Sequence, residues 1–235
     1  MKGMPEVLYE DNHIIIVNKR VSDIAQGDKT GDEPLDSIVK NYIREKYNKP
    51  GDVFLGVVHR LDRPVSGCIV YARTSKALTR MSELFRTKEV KKTYLAVVCD
   101  RPPEEEGELN HFIKRNEKQN RSFAFDNEVK DSKPAKLSYK IIARSESFYL
   151  LEVDLHTGRH HQIRAQLSAV GCPIKGDLKY GSKRSNEGGG ISLHSYRIRF
   201  IHPVKKEEIK VFAPLPKDKT WNLFAENIKQ MRKTD

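Results

Sequence analysis

The feature that most constrains this chain is the short run His13-Ile14-Ile15-Ile16-Val17, whose β-branched side chains suit a pleated strand. The turn-forming pair Asp11-Asn12 separates it from Val7-Leu8-Tyr9, so the chain opens as a β-hairpin. Asp32-Glu33-Pro34 then supplies an acidic helix start with Pro in the first turn. Leu35, Ile38, Val39, Tyr42 and Ile43 share one helical face until Pro50-Gly51. Strands are expected at 54–58 and 67–72. Ser75 is placed to cap a second helix bearing Ala77, Leu78, Met81, Leu84 and Phe85, followed by a strand over 93–99. Residues 100–134 are polar, carry the cations Lys114, Arg115, Lys118 and Arg121 around a turn, and read as an exposed ribbon. Strands at 137–143 and 148–155 meet at residues 144–147, a short helix carries Ile163, Leu167 and Val170 as far as Gly171, and a loop over 172–190 precedes a last strand pair. Trp221, Phe224, Ile228 and Met231 mark one C-terminal helix. Strands interleave with a few helices without regular βαβ alternation, which predicts an α+β fold: a mixed, largely antiparallel sheet core, flanking helices and a central active-site cleft.

The 235 residues suffice for one domain or two closely packed halves, and a single catalytic domain over 1–235 is expected. Its net charge of +11 favours polyanions, nucleic acid foremost, over acidic membranes or acidic proteins. Cys68, Cys99 and Cys172 are odd in number and form no CxxC, which argues against a disulfide framework and a cysteine zinc site and suits the cytoplasm. The amino terminus, from Met1 to Glu6, lacks the apolar run of a signal peptide, and no stretch approaches a membrane span. A monomer without a membrane partner is expected.

Two clusters can carry chemistry. The first, His59-Arg60-Leu61-Asp62-Arg63-Pro64-Val65-Ser66-Gly67, is a polar loop between apolar strands, the kind of rigidly held loop that often bears a site. It also fits a plain turn in which Asp62 or Ser66 bonds the backbone. Arg60 and Arg63 beside Asp62 would favour its ionised form. The second, residues 155–164, lies where a strand turns into a helix whose N-terminus can receive an anion. His156, His160 and His161 make a weak metal set, because no glutamate completes an HExxH pattern and no cysteine is near. Residues 176–183 fail the phosphate-loop order GxxxxGK[ST], and Gly188-Gly189-Gly190 lacks GxGxxG spacing.

HRLDRPVSG resembles the HRLDxxTSG signature of the RluA-type pseudouridine synthases. LHTGRHHQIRAQL is similar to that family's TGRTHQIR segment, and Lys92-Thr93-Tyr94 to its K-x-Tyr motif. Lesser matches are VLYEDNHIIIVNK, PIKGDLKYG and LHSYRIRFIHP. The chain departs from the pattern at Arg20, where the family has Pro, at Pro64-Val65, where it has a variable residue and Thr, and at His160, where it has Thr. The chain also begins directly in the catalytic region, so no N-terminal RNA-binding module is expected.

The resemblance implies an isomerase that turns specific uridines of ribosomal or transfer RNA into pseudouridine, needing neither cofactor nor metal. Asp62 would be its essential carboxylate, Tyr94 would lie on the base face, and Arg164 would pair with Asp62. Ile163 would form part of the pocket wall, Arg60 would fill the space the base leaves in the RNA, and His59 and Lys92 would complete the substrate contacts. A non-catalytic RNA-binding protein and a metal-dependent RNA hydrolase using Asp62 with the histidines remain as alternatives.

Overall fold

The computed structural model describes residues 4–27 and 31–234, so Met1, Lys2 and Gly3 of the amino-terminal stretch discussed above lie outside it. In chain order the first elements are β1 (Glu6–Glu10), β2 (Ile14–Lys19), α1 (Leu35–Lys46), β3 (Gly56–Val57), β4 (Ser66–Ala72), α2 (Ser75–Arg86) and β5 (Lys91–Val98). They are followed by β6 (Glu106–Asn116), β7 (Arg121–Phe125), β8 (Lys133–Arg144), β9 (Tyr149–Leu155), α3 (Gln162–Ala169), β10 (Leu193–Ile201), β11 (Glu208–Phe212), α4 (Lys219–Asn222) and α5 (Ala225–Thr234). The pairs β1–β2, β2–β4, β3–β4, β10–β11, β5–β9, β9–β8, β8–β6 and β6–β7 are all antiparallel, and helices are few, which is the α+β class read from the sequence. No helix among the described residues is long and apolar enough to cross a membrane.

The chain divides into two compact units, residues 1–91 with 195–214 and residues 92–194 with 215–235. In the first, strands run in the order β1, β2, β4, β10, β11, with β3 also paired to β4. The β1–β2 hairpin forms as read, with Val7 opposite Val17. Ile14, Ile15, Ile16 and Val17 are all fully buried, because β2 is covered on both faces. One face joins Cys68, Val70, Met81, Ile198, Phe200 and Val211 in the core of this unit. Gly67 could be no other residue: its φ is +112°, and an added Cβ would sit 2.3 Å from the Ser195 carbonyl oxygen. In the second unit the order is β5, β9, β8, β6, β7, and α3 buries six of its eight residues.

Several boundaries differ from the sequence reading, each for a local reason. Pro34 stands just before α1 as its N-cap, outside the first turn. Thr74, not Ser75, caps α2, its hydroxyl accepting from the Ala77 N–H at 3.1 Å; adjacent hydroxyls look alike in sequence. The strand expected over 54–58 shrinks to Gly56–Val57, with Phe54 exposed. Residues 100–134 are more than an exposed ribbon, since β6 pairs with β8 as well as β7 and alternately buries Leu109, His111 and Ile113. The single C-terminal helix is broken into α4 and α5 at Leu223-Phe224, although the apolar period runs straight across the break.

One buried ion organises the first unit. Lys19 closes β2 with no solvent exposure, and its ammonium donates to three backbone carbonyls: Arg20 at 2.9 Å, Arg63 at 3.1 Å and Val65 at 2.6 Å. Such a charge persists without water only because each N–H finds an oxygen. Lys19→Met would strip the ammonium from the Val65 carbonyl and leave the Arg63 carbonyl with the Ser22 N–H alone. We expect a loss of about 3 kcal/mol, or roughly 6 to 12 °C in Tm for a chain of this size, read by scanning calorimetry. A Tm within about 2 °C of wild type would show that water replaces the ammonium without cost.

Candidate active site

Asp62 sits half-buried between β3 and β4, where the sequence placed it. Its carbonyl accepts the Val65 N–H at 3.0 Å, closing a turn through Arg63 and Pro64. Lys19 pins the turn from one side, and the Ser22 N–H adds a 3.1 Å bond to the Arg63 carbonyl. These groups brace the loop where Val65 stands in place of the threonine. His59 is tied into the same unit. Its Nε2 accepts the Val70 N–H at 3.0 Å, continuing the edge of β4 beyond β3, and its ring stacks on Phe85 at 4.7 Å. Nε2 therefore carries the lone pair and Nδ1 the proton. Arg60 is exposed. Arg63 directs its guanidinium to Asp32 at 2.6 Å, so its charge is engaged by that carboxylate.

In the second unit, Lys92 and Tyr94 lie on β5 and Ile163 and Arg164 on α3. Tyr94 is buried opposite Val153 of β9. Lys92 is half-buried and lies near the Gly158 backbone; a Cβ on that glycine would be 3.6 Å from its Nζ, and desolvation holds its pKa below the usual lysine range.

Entry into α3 is made by a buried amide network. Gln162 accepts from the Thr157 hydroxyl at 2.7 Å and the Arg159 N–H at 3.0 Å, and donates to the Lys136 carbonyl at 3.1 Å and to Gln166 at 2.9 Å. His161, the residue before the helix, adopts a left-handed φ of 53°, a conformation uncommon outside glycine and often kept at functional sites.

Arg164 is buried, and Asp177 grips it with a two-toothed ion pair, Nε to Oδ2 at 2.6 Å and Nη2 to Oδ1 at 2.9 Å. The guanidinium lies over the Tyr180 ring, 4.9 Å from its centre, and Arg121 lies over the same ring at 5.0 Å. The Tyr180 hydroxyl accepts the Ser122 N–H at 2.8 Å and meets His161 Nδ1 at 2.9 Å. Burial foremost, and then the Arg164 charge, push His161 down to about 2, so its ring is neutral and accepts the tyrosine proton on Nδ1. His160 stacks on His161 at 3.8 Å and bonds the Ser122 hydroxyl at 2.9 Å.

Lys19, Asp177 and Tyr180 were not singled out by the sequence reading. Lys19 has the look of a strand-end surface lysine, and residues 176–183 fail as a phosphate loop and otherwise enter only through the PIKGDLKYG resemblance. The available signal was Asp177 and Tyr180 spaced three apart between Gly176 and Gly181, both at positive φ, a tight turn whose polar side chains must point somewhere fixed. Arg121, read as a cation projecting from a ribbon, is a half-buried part of the Tyr180 stack, while Arg115 and Lys118 are exposed. The three histidines of the second cluster bond separate partners, Ser138 for His156, Ser122 for His160 and Tyr180 for His161. Among the described residues no group of three or more His, Cys, Asp or Glu is placed to hold a metal ion.

A family described as RNA pseudouridylate synthase matches residues 13–169. The uncharacterized RNA pseudouridine synthase YlyB of Bacillus subtilis is 31% identical over 231 residues, covering 97% of this chain and 73% of the relative. The tRNA pseudouridine synthase C of Vibrio vulnificus is 30% identical over 241 residues, covering 95% of each. The ribosomal large subunit pseudouridine synthase C of Buchnera aphidicola is 33% identical over 221 residues, covering 90% of this chain and 68% of the relative. Among solved structures, human RNA pseudouridylate synthase domain containing 4 superposes with a TM-score of 0.76 at 20% identity, covering 97% of this chain and 93% of the other, a likeness of fold.

The buried neutral histidine has a consequence for stability. A base whose folded pKa lies below its unfolded value of 6.5 stabilises the fold above that pH, and the stability is lost as the pH falls below it. Asparagine tolerates the left-handed conformation and does not titrate. Urea unfolding of wild type and His161→Asn between about pH 6.5 and 4 should show a shallower decline for the variant, by up to about 1.4 kcal/mol per pH unit. Equal slopes would mean that His161 takes up its proton in the folded protein.

Proposed function

This chain belongs to the RNA pseudouridine synthases of the RluA type, and we propose that it isomerises particular uridines of ribosomal or transfer RNA with Asp62 as its essential carboxylate. The observation that carries this reading is the Asp62 turn itself: a half-buried carboxylate on a loop held by a buried ammonium, where a plain surface turn would need no such bracing. The RNA classes are those named for relatives of the chain.

The reaction breaks the bond between uracil N1 and the ribose C1′, turns the base, and joins C5 to C1′. N1 gains a proton and C5 loses one, so atoms and electrons balance without redox change or net hydrolysis. One carboxylate suffices, acting on the sugar carbon or as a base, because the uracil carbonyls hold the departing charge that a second carboxylic acid neutralises in glycoside hydrolases.

A stacked uridine must first leave its helix, which costs a few kcal/mol. Tyr94 offers the ring that replaces the lost stacking, worth roughly 1 to 3 kcal/mol. Arg164 orients Asp62, the plane of its own guanidinium being held by Asp177 through Nε and Nη2. Ile163 forms the apolar wall, exposed Arg60 fills the gap in the RNA, and His59 and Lys92 complete the contacts. Arg115 and Lys118 approach phosphates. The net charge of +11 and three cysteines in no disulfide support a chain acting alone on RNA in the cytoplasm.

RNA carrying tritium at uracil C5 tests the reading, because isomerisation frees the label and leaves the strand intact. Asp62→Asn keeps the shape and removes the ionised oxygen, so tritium release should stop while RNA affinity changes little. Release within about tenfold of wild type, roughly 1.4 kcal/mol in barrier, would remove Asp62 from the chemistry. Cleaved strands would favour a hydrolase.

A further inference from the structure

The turn formed by residues 177–180 belongs to none of the roles assigned above, yet its polar side chains reach α3 and the turn end of the β6–β7 hairpin. Asp177 is 1% exposed and Arg164 5% exposed, so neither charge is tolerable alone, and the pair is closed by two parallel hydrogen bonds. That geometry fixes the plane of the guanidinium, which a single contact would leave free to rotate. Tyr180 lies beneath the same guanidinium and is itself immobilised: the Ser122 N–H donates to its hydroxyl, the hydroxyl donates to His161 Nδ1, and Arg121 covers its ring. Lys179 reaches the hairpin tip, donating to the Asn120 carbonyl at 3.1 Å and the Gln119 carbonyl at 3.4 Å. One four-residue turn thus ties the buried arginine to the hairpin that presents Arg115 and Lys118.

We infer that Asp177 and Tyr180 are positioning residues for the reaction, setting the plane of Arg164 through the two-toothed ion pair and the stacked ring. Neither need touch the RNA. The inference rests on the reading of Arg164 as part of the active site. A fold-stabilising role alone would lower the amount of active protein without changing how the variants combine; a positioning role acts only through Arg164. Loss of the plane should lower the maximal rate and leave half-saturation by RNA unchanged, because the substrate contacts lie elsewhere. Arginine presents a planar fork and lysine a point charge, so Arg164→Lys has no plane for Asp177 to set.

The test is a double-variant cycle on the full chain, with single-turnover tritium release from C5-labelled RNA isolated from cells lacking the protein. Asp177→Asn should reduce the rate at saturating RNA by about tenfold or more with half-saturation within about twofold, and should cost little further in the Arg164→Lys background. Should Asp177→Asn fail to fold, Tyr180→Leu takes its place in the cycle with the same expectations. A single-variant rate within about threefold of wild type, or losses that multiply in the double variant, would overturn the inference while the reading of Arg164 stands. An Arg164→Lys rate equal to wild type would remove that reading and the inference with it.

Discussion

The arrangement of the first unit depends on an ammonium that water never reaches. Lys19 ends a strand buried on both faces, and its three hydrogen bonds go to carbonyls that the local chain leaves without strand partners. Two of those carbonyls flank Pro64, whose ring removes an N–H and restricts the residue before it. A turn with so few internal bonds would wander. Tied to β2 through Lys19 and followed by Gly67, where any Cβ would sit 2.3 Å from the Ser195 carbonyl oxygen, it has one place to be. Asp62 inherits that place.

The second unit meets a similar demand by different means. Its buried charge is an arginine, neutralised by an aspartate rather than by carbonyls, and the pair is laid against a tyrosine instead of a backbone loop. Around it, the amides of Gln162 and Gln166 and the strained backbone of His161 fix where α3 begins. Buried polar networks of this kind are costly if any member is lost and rigid when all are satisfied. Rigidity suits a reaction that asks for orientation and a steady charge more than for motion.

Much of this was legible in the chain. β-branched runs and turn residues located the strands, and a polar loop between apolar segments located Asp62. The α3 entry showed itself as histidines and arginine next to Gly158. What escaped was of one physical type: residues whose role is set by a distant partner. Lys19 reads as an ordinary lysine until the loop 44 residues later folds over it. Asp177 and Tyr180 lie in a segment with no period, so nothing local says where their side chains go. Thr74 and Ser75 are equivalent hydroxyls in sequence and differ only in backbone angle. The break between α4 and α5 is invisible because Trp221, Phe224 and Ile228 keep their spacing and their burial across it. Arg121 was misread because a cation amid polar residues is normally solvated, whereas here two aromatic rings take it in.

The central claim is that this chain makes pseudouridine in cellular RNA through the carboxylate that Lys19 helps to hold. Its most direct test is a nucleotide-resolution map of pseudouridine in ribosomal and transfer RNA from cells lacking the protein, and from the same cells given back either the wild-type chain or Asp62→Asn at equal abundance. The account predicts at least one site that disappears in the deletion, returns with the wild-type chain and stays absent with the variant. A map unchanged by the deletion, or a site restored by Asp62→Asn, would contradict it.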